Sequence, residues 1–179
     1  MDGPVAIDPQ LFNYGLLLIR FVFGLSFAAH GAQKLFGWFG GYGLAGTGGF
    51  MESLGFRPGK TFATVAALGE FVGGLLFVFG FLGAVGPALM LSVMLVASIT
   101  VHRKNGFFVS NNGIEVPLLY ATAAIGISLT GPGIYSLDAA LGNYRLVTPK
   151  VTWIILALGL IGGIGNLALR RPSPSSPVV

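Results

Sequence analysis

Residues 62–82 read FATVAALGEFVGGLLFVFGFL and carry one charged side chain, that of Glu70. As an α-helix, which rises about 1.5 Å per residue, this stretch is about 30 Å long. That length matches the hydrocarbon core of a bilayer, where about 20 consecutive apolar residues are needed to cross. The stretch therefore predicts a membrane-spanning helix.

Four further apolar stretches predict spanning helices at residues 11–30, 85–102, 116–130 and 151–169, the first of which can continue past Lys34. Pro87 and Pro117 fall in the first turn of their stretches, where the missing N–H costs little. A Gly-Pro-Gly run at residues 131–133 ends the fourth stretch. The sequence predicts an all-α polytopic membrane protein, with a four-helix transmembrane bundle and a fifth C-terminal transmembrane helix.

The composition excludes several classes of protein. Hydrophobic residues make up 54% of the 179 residues and charged residues 9%, whereas a soluble domain is roughly a quarter charged. Cys is absent, which excludes thiolate zinc sites and iron–sulfur clusters, and no metal site is predicted. The net charge of +4 comes from basic residues at the ends of apolar runs. The expected partner is therefore the lipid bilayer and not nucleic acid.

The same pattern predicts the organisation and orientation of the chain. An extracytoplasmic N-terminus (residues 1–10) precedes the bundle (11–142), a linker (143–150), the additional transmembrane helix (151–169) and a disordered cytoplasmic tail (170–179). Cytoplasmic loops of membrane proteins are enriched in Lys and Arg. This bias predicts a multi-pass protein of a bacterial or archaeal cell membrane with its N-terminus outside and its C-terminus in the cytoplasm. The residues on the predicted inner side are Lys34, Arg57, Lys60, Arg103, Lys104, Arg170 and Arg171, against Arg145 and Lys150 outside.

Two ionisable residues lie well inside the predicted spans, where a charge is costly and marks a candidate site. Arg20 precedes His30, the end of the first predicted helix, by ten residues, and Glu70 follows the start of the second by about eight. Because consecutive helices run antiparallel, we expect the two charged side chains to lie at similar depth in the membrane and to form an ion pair. Such a pair either only locks the two helices together or forms the polar floor of a cavity open to the cytoplasmic leaflet.

A second polar layer is predicted nearer the cytoplasmic surface. His30 and Lys34 are four residues apart on one helix face, His102 ends the third predicted helix, and Glu115 begins the fourth. These side chains either converge on an acid–base or ligand site or reach the headgroups as interfacial residues. With Arg20 and Glu70 they form the candidate polar site, in which no catalytic residue is singled out. The two His lie near helix ends, which disfavours a b-type haem between them.

Glycine is concentrated in one segment between predicted helices and in two GxxxG pairs within helices. Residues 37–59 contain nine Gly interleaved with aromatic residues such as Trp38, Phe39 and Tyr42. This segment is either an interfacial loop or a lid over a quinone-sized pocket. GxxxG pairs occur at Gly69 and Gly73 and at Gly159 and Gly163. Such pairs allow close helix approach, either within the bundle or, for the fifth helix, against a partner.

These motifs together resemble the DoxX family of small bacterial and archaeal membrane proteins. The resemblance covers about residues 11–142, so the fifth helix lies outside it. It implies a four-helix membrane bundle, and some members are similar to subunits of thiosulfate:quinone oxidoreductase or of a terminal quinol oxidase. The matching segments are Arg20, HGAQKLFGWF at 30–39, FMESLG at 50–55, EFVGG at 70–74, HRKNGFF at 102–108, Glu115 and GPGIYSLD at 131–138.

Two functions remain open. The resemblance implies a small subunit of a quinone-linked redox system, an oxidoreductase subunit that is not catalytic alone and works with other subunits of a membrane redox complex. It would bind a quinone non-covalently under the cytoplasmic interface through His30, Lys34 and Trp38. The alternative is a non-catalytic accessory subunit of a larger electron-transfer complex, docked through the fifth helix and the Gly-rich segment. A small transporter with Arg20 and Glu70 as gating charges is a weaker alternative, because no repeat of discontinuous helices supports it.

Overall fold

The computed structural model describes residues 8–171, and helices form most of this region. Helices α1, α3, α7 and the apolar helix Val85–Asn105 that contains α4 are long and apolar enough to cross a membrane, while α5 is shorter. The predicted all-α membrane fold is therefore confirmed. The helices are α1 (Pro9–Phe36), α2 (Gly43–Ser53), α3 (Gly59–Phe79), α4 (Val85–Ala97), α5 (Glu115–Thr130), α6 (Leu137–Ala140) and α7 (Pro149–Ala168).

Helix α1 continues past Lys34, as the sequence allowed. The Asp8 carboxylate accepts hydrogen bonds from the backbone N–H groups of Gln10, at 2.7 Å, and of Leu11, at 3.2 Å, which caps the N-terminus. The helix then continues past His30 to Phe36. It ends where Gly37 adopts φ = 73° and its N–H bonds the carbonyl of Gln33. The six residues beyond His30 include Lys34, which reaches α3.

Four helices form a closed ring in which α1 contacts α3, α3 contacts α4, α4 contacts α5, and α5 contacts α1. Close approach of α1 and α3 requires glycine, because a Cβ on Gly24 would lie 2.9 Å from the Gly74 carbonyl oxygen. The interior of the ring is filled by side chains such as Phe27, Phe77 and Met90. Helix α2 packs outside the ring against α3, and α7 packs outside it against α4.

The GxxxG pair of the fifth spanning helix is used inside the protein. A Cβ on Gly159 would meet Ala88 of α4, and one on Gly163 would lie 3.1 Å from the carbonyl oxygen of Ser92. Gly73 likewise faces Leu89 of α4. Of the two interpretations of this pair, packing within the protein therefore holds and docking of the GxxxG face against a partner does not, because α4 covers that face.

The Gly-rich segment is not only a loop, because it contains α2. Gly48 and Gly59 allow α2 to lie directly against the start of α3, since a Cβ on Gly48 would be 3.2 Å from the Lys60 backbone nitrogen. The Glu52 carboxylate accepts a hydrogen bond from the Gly59 N–H at 3.1 Å and fixes the turn between the two helices. The aromatic side chains of Trp38, Phe39 and Tyr42 are exposed, as expected at a headgroup interface.

At the opposite end of the bundle, the short helix α6 fixes the turn between α3 and α4. The buried Asp138 carboxylate accepts hydrogen bonds from the backbone N–H groups of Leu82, at 3.1 Å, and Gly83, at 2.6 Å. Neither α6 nor this contact is predicted by the sequence.

The predicted boundaries near the termini need one correction. Arg170 and Arg171, assigned to a disordered tail, contact the turn after α2. The Arg170 guanidinium Nε donates to the Leu54 carbonyl, and the Arg171 N–H donates to the Gly55 carbonyl at 2.8 Å. The rest of that tail, residues 172–179, and most of the predicted extracytoplasmic N-terminus, residues 1–7, lie outside the described residues.

Candidate functional site

A partly open cleft of about 240 Å³ lies against the outer side of α3 and α4. Both helices line it, α3 with its first half and α4 with its second half, and α2 and α7 border it. Its surface is mostly apolar. Its polar lining residues are Lys34, Glu70, Ser92, Thr100, His102 and Asn166. The cleft thus lies at the end of the bundle where α1 and α7 finish and α3 begins.

An ion pair between Lys34 and Glu70 forms the charged part of the cleft. Lys34 comes from the last turn of α1, and its Nζ contacts Oε1 of Glu70 on α3. The Lys34 side chain is 30% exposed, whereas that of Glu70 is 3% exposed. Oε2 of Glu70 is buried and has no hydrogen-bond partner among residues 8–171. A buried acceptor without a partner is costly, so this oxygen identifies a place where a ligand donor or water is needed.

The predicted Arg20–Glu70 pair is wrong. Close contacts fix the register of the two helices. Gly31 of α1 lies against Phe71 of α3, and Gly24 lies against Gly74 and Val78. Lys34, one turn after Gly31, is therefore within reach of Glu70. Arg20, one turn before Gly24, is level with Val78 near the opposite end of the bundle.

Arg20 binds backbone carbonyls and lies outside the cleft. Its guanidinium is almost fully buried and donates to the carbonyls of Val78, at 3.0 and 3.2 Å, Tyr135, at 2.6 Å, and Pro132. The Val78 carbonyl belongs to the last turn of α3, where carbonyls have no partner within the helix. Arg20 therefore caps α3 and holds the loop after α5. This role is structural, and Arg20 does not reach Glu70.

His102 lines the cleft at the end of a π-helical segment, Ser98–His102. Segments of this kind are rare and frequently occur at functional sites. The ring Nδ1 lies 2.9 Å from the Asn112 carbonyl oxygen. Because a carbonyl only accepts hydrogen bonds, we infer that Nδ1 carries the proton of the neutral ring. Nε2 is then an acceptor, and His102 adds a base to the cation and the acid of the cleft.

The other predicted site residues do not line this cleft. His30 is exposed, its Nδ1 lies 3.2 Å from Oε1 of Gln33, and its ring packs edge-on to Tyr120 of α5. Glu115 accepts a hydrogen bond from the Val109 N–H at 2.7 Å and organises the loop before α5. Trp38 packs on Phe36, with ring centroids 4.8 Å apart. The candidate polar site and the predicted quinone contacts together comprise seven residues. Of these, the cleft brings together Lys34, Glu70 and His102.

Several cleft residues were not predicted. Ser92 and Thr100 occur within an apolar helix, and the Thr100 hydroxyl donates to the Val96 carbonyl at 2.8 Å. Asn166 is the single carboxamide of the fifth predicted helix, a signal that was present in the sequence. The apolar wall next to α2 comes from Phe50, Met51, Leu54 and Phe56. These residues do not share a helix with Lys34 or Glu70, so helical spacing in the sequence does not predict that they lie close to them.

Chemically, the cleft joins an apolar surface to a cation, a buried acid and an imidazole acceptor. No group of three or more His, Asp and Glu side chains within residues 8–171 is arranged to hold a metal ion. Binding sites for small molecules are typically apolar pockets with a few placed polar groups. The arrangement therefore suits an apolar molecule with hydrogen-bonding oxygens.

Comparison with known proteins identifies the family. The DoxX family model matches residues 15–103, which include most of α1 together with α2, α3, α4 and the π-helical segment. The chain belongs to the DoxX family, and it is a membrane protein with several spanning helices.

The relatives that it matches are bacterial. It is 32% identical to the "Putative oxidoreductase CatD" of Bacillus subtilis over 127 residues, 71% of this chain and 87% of the relative. It is 30% identical to the "Inner membrane protein YqjF" of Escherichia coli over 134 residues, 75% of this chain and 97% of the relative. An uncharacterised protein of Haemophilus influenzae is 28% identical over 141 residues, 78% of this chain and 89% of the relative. No solved structure matches the chain.

Proposed function

We propose that the cleft binds a quinone-like ring and that the protein is a membrane subunit of a quinone-linked redox system. The observation that carries the proposal is the Lys34–Glu70 pair in an otherwise apolar cleft, together with the buried Oε2 of Glu70, which has no hydrogen-bond partner within residues 8–171. The name of the Bacillus subtilis relative, "Putative oxidoreductase CatD", supports the redox assignment. The resemblance to the DoxX family supports a quinone as the ligand.

The size of the cleft is consistent with a ring of this kind. A dry cavity of about 150 Å³ lined by apolar side chains binds benzene. At about 240 Å³, the cleft has room for a substituted ring or for two fused rings. Phe50, Met51 and Phe62 supply apolar contacts for the ring faces, and the isoprenoid tail of a quinone can leave through the open side.

The charged side chains supply hydrogen-bond partners for the ring oxygens. Lys34 donates to a carbonyl oxygen of the oxidised ring, and Oε2 of Glu70 accepts from a hydroxyl of the reduced ring. Two-electron reduction of a quinone also takes up two protons, for which Glu70 and His102 are positioned as donors after protonation. The electrons come from another subunit or a diffusible donor. The role of this protein is to bind the ring and to exchange protons with it.

We also propose that the cleft opens at the cytoplasmic side. Helices α1 and α7 end beside it, and the basic loop residues Arg57, Lys60, Arg103 and Lys104 belong to the same end of the chain's spans. Single Cys residues are diagnostic here because the chain has none. Ser110→Cys should be labelled by an impermeant maleimide only from the cytoplasm and Tyr144→Cys only from outside. Labelling of both from one side would contradict the orientation.

Binding of menadione, a small naphthoquinone, tests the proposed function. In lipid nanodiscs the wild-type protein should show saturable binding above the partitioning measured with empty nanodiscs. The double variant Lys34→Met/Glu70→Leu should bind at least about tenfold more weakly, because hydrogen bonds to charged groups contribute about 1.5–3 kcal/mol.

His30→Leu is the matched control. It replaces an exposed ionisable residue one turn before Lys34, outside the cleft, so it should leave menadione affinity unchanged. Loss of binding in His30→Leu, with normal binding in the double variant, would place the ring at another site.

A further inference from the structure

We infer that α7, which lies outside the segment matched by the family model, completes the cleft. Asn166 is a ligand-contacting residue, and Arg170 is a positioning residue that holds the wall next to α2. This inference rests on the proposed function, because it takes the ligand of the cleft to be a ring with carbonyl oxygens. It adds a polar contact and a closing element that the DoxX-matched segment does not contain.

The arrangement of the helices supports this role. Helices α3 and α4 contact each other and form the floor of the cleft, while α2 packs on α3 and α7 packs on α4. The cleft therefore lies between α2 on one side and α7 on the other. Where α7 ends, it reaches the turn after α2, and this contact closes the perimeter of the cleft at that end.

Two hydrogen bonds make the contact. The Arg170 Nε donates to the Leu54 carbonyl, and the Arg171 backbone N–H donates to the Gly55 carbonyl at 2.8 Å. Leu54 and Phe56 on either side of Gly55 line the cleft. Phe56 is 1% exposed and packs on Phe62, with ring centroids 5.2 Å apart. Arg170 therefore positions two apolar wall residues through the backbone between them.

Asn166 lies one helical turn before Arg170 and lines the cleft. Its side chain makes no hydrogen bond to another residue in the described range 8–171. Lys34 reaches the cleft from α1, whereas Asn166 reaches it from α7 on the other side of the α3–α4 floor. A ring with two carbonyl oxygens on opposite edges presents one oxygen to each side, so a 1,4-quinone is the ligand class that uses both groups.

The positioning role of Arg170 is tested without any ligand. In an Ala66→Cys background, which places one thiol on the α3 floor of the cleft, Arg170→Gln should raise the rate of labelling by N-ethylmaleimide at least about threefold. Arg171→Gln is the matched control, because it removes the same charge but keeps the backbone N–H that bonds Gly55. Arg170→Lys should restore slow labelling, since an ammonium can still donate to the Leu54 carbonyl. Equal rates in the two Gln variants would overturn the positioning role.

The role of Asn166 is tested with two matched rings. Asn166→Leu, which keeps the size of the side chain, should weaken menadione binding about threefold to tenfold, as expected for loss of one hydrogen bond. It should leave the binding of 2-methylnaphthalene, which has no carbonyl, unchanged. If the wild type binds menadione and Asn166→Leu does so equally well, Asn166 does not contact the ligand. If the wild type binds no menadione while Arg170→Gln still speeds labelling, the proposed function fails but closure of the cleft by α7 stands.

Discussion

Lys34→Met alone is expected to destabilise the protein by about 3–5 kcal/mol, the cost of leaving a buried charge without its partner. The change leaves the Glu70 carboxylate, which is 3% exposed, without its cation. Replacing both residues, in Lys34→Met/Glu70→Leu, should recover most of this loss, because well-packed apolar side chains often replace a buried pair without cost. Thermal unfolding of the purified variants in one detergent measures the difference.

A double-mutant cycle on Arg20 and Glu70 provides the control for the cycle on Lys34 and Glu70. Arg20 and Glu70 lie at opposite ends of the bundle and share no partner, and the effects of such distant changes usually add. The losses from Arg20→Leu and Glu70→Leu should therefore be additive, whereas those from Lys34→Met and Glu70→Leu should not. Coupling in the Arg20 cycle and additivity in the Lys34 cycle would contradict the pairing described above.

Arg20→Leu is expected to produce the second large loss, on the order of 3 kcal/mol. It removes the donors to the carbonyls of Val78, Pro132 and Tyr135, and each buried carbonyl left unpaired costs about 1–3 kcal/mol. Removal of a buried charge offsets part of that sum. Hydrogen exchange measured by mass spectrometry should become faster in residues 131–138, which Arg20 attaches to the bundle.

Arg20→Lys is the matched variant for this prediction. It keeps the positive charge near the C-terminal end of α3, where a cation is favourable, but it cannot reach three carbonyls at once. Its loss should be intermediate, and exchange in residues 131–138 should still increase. Unchanged exchange in both variants would show that Arg20 does not hold the loop.

The spanning helices follow from the sequence because each one must satisfy its own backbone hydrogen bonds over about 30 Å of hydrocarbon. The sequence predicts the ends of these helices less well. His30 and Lys34 look like the polar end of a span, yet α1 continues to Phe36. The partner of Glu70 depends on the register of α1 against α3, which the close approach at Gly24 and Gly31 sets. The C-terminal cap at Gly37 becomes evident only once its positive φ is known.

The cleft was only partly predictable for a different reason. Lys34, Glu70 and His102 stand out because ionisable residues are rare in an apolar chain. The residues that surround them come from α2 and α7, which pack outside the four-helix ring. No periodicity in the sequence relates Phe50 or Asn166 to Glu70, since their proximity depends on packing between helices.

Photoaffinity labelling locates the ring most directly. An azido derivative of menadione, photolysed with the protein in native membranes and followed by peptide mapping, should label residues of the cleft such as Phe50, Met51 and Val93. Excess menadione should suppress this labelling, and Lys34→Met/Glu70→Leu should abolish it. Labelling confined to the α1–α5 face around His30 and Tyr120, or labelling that excess menadione does not reduce, would contradict a quinone site in the cleft.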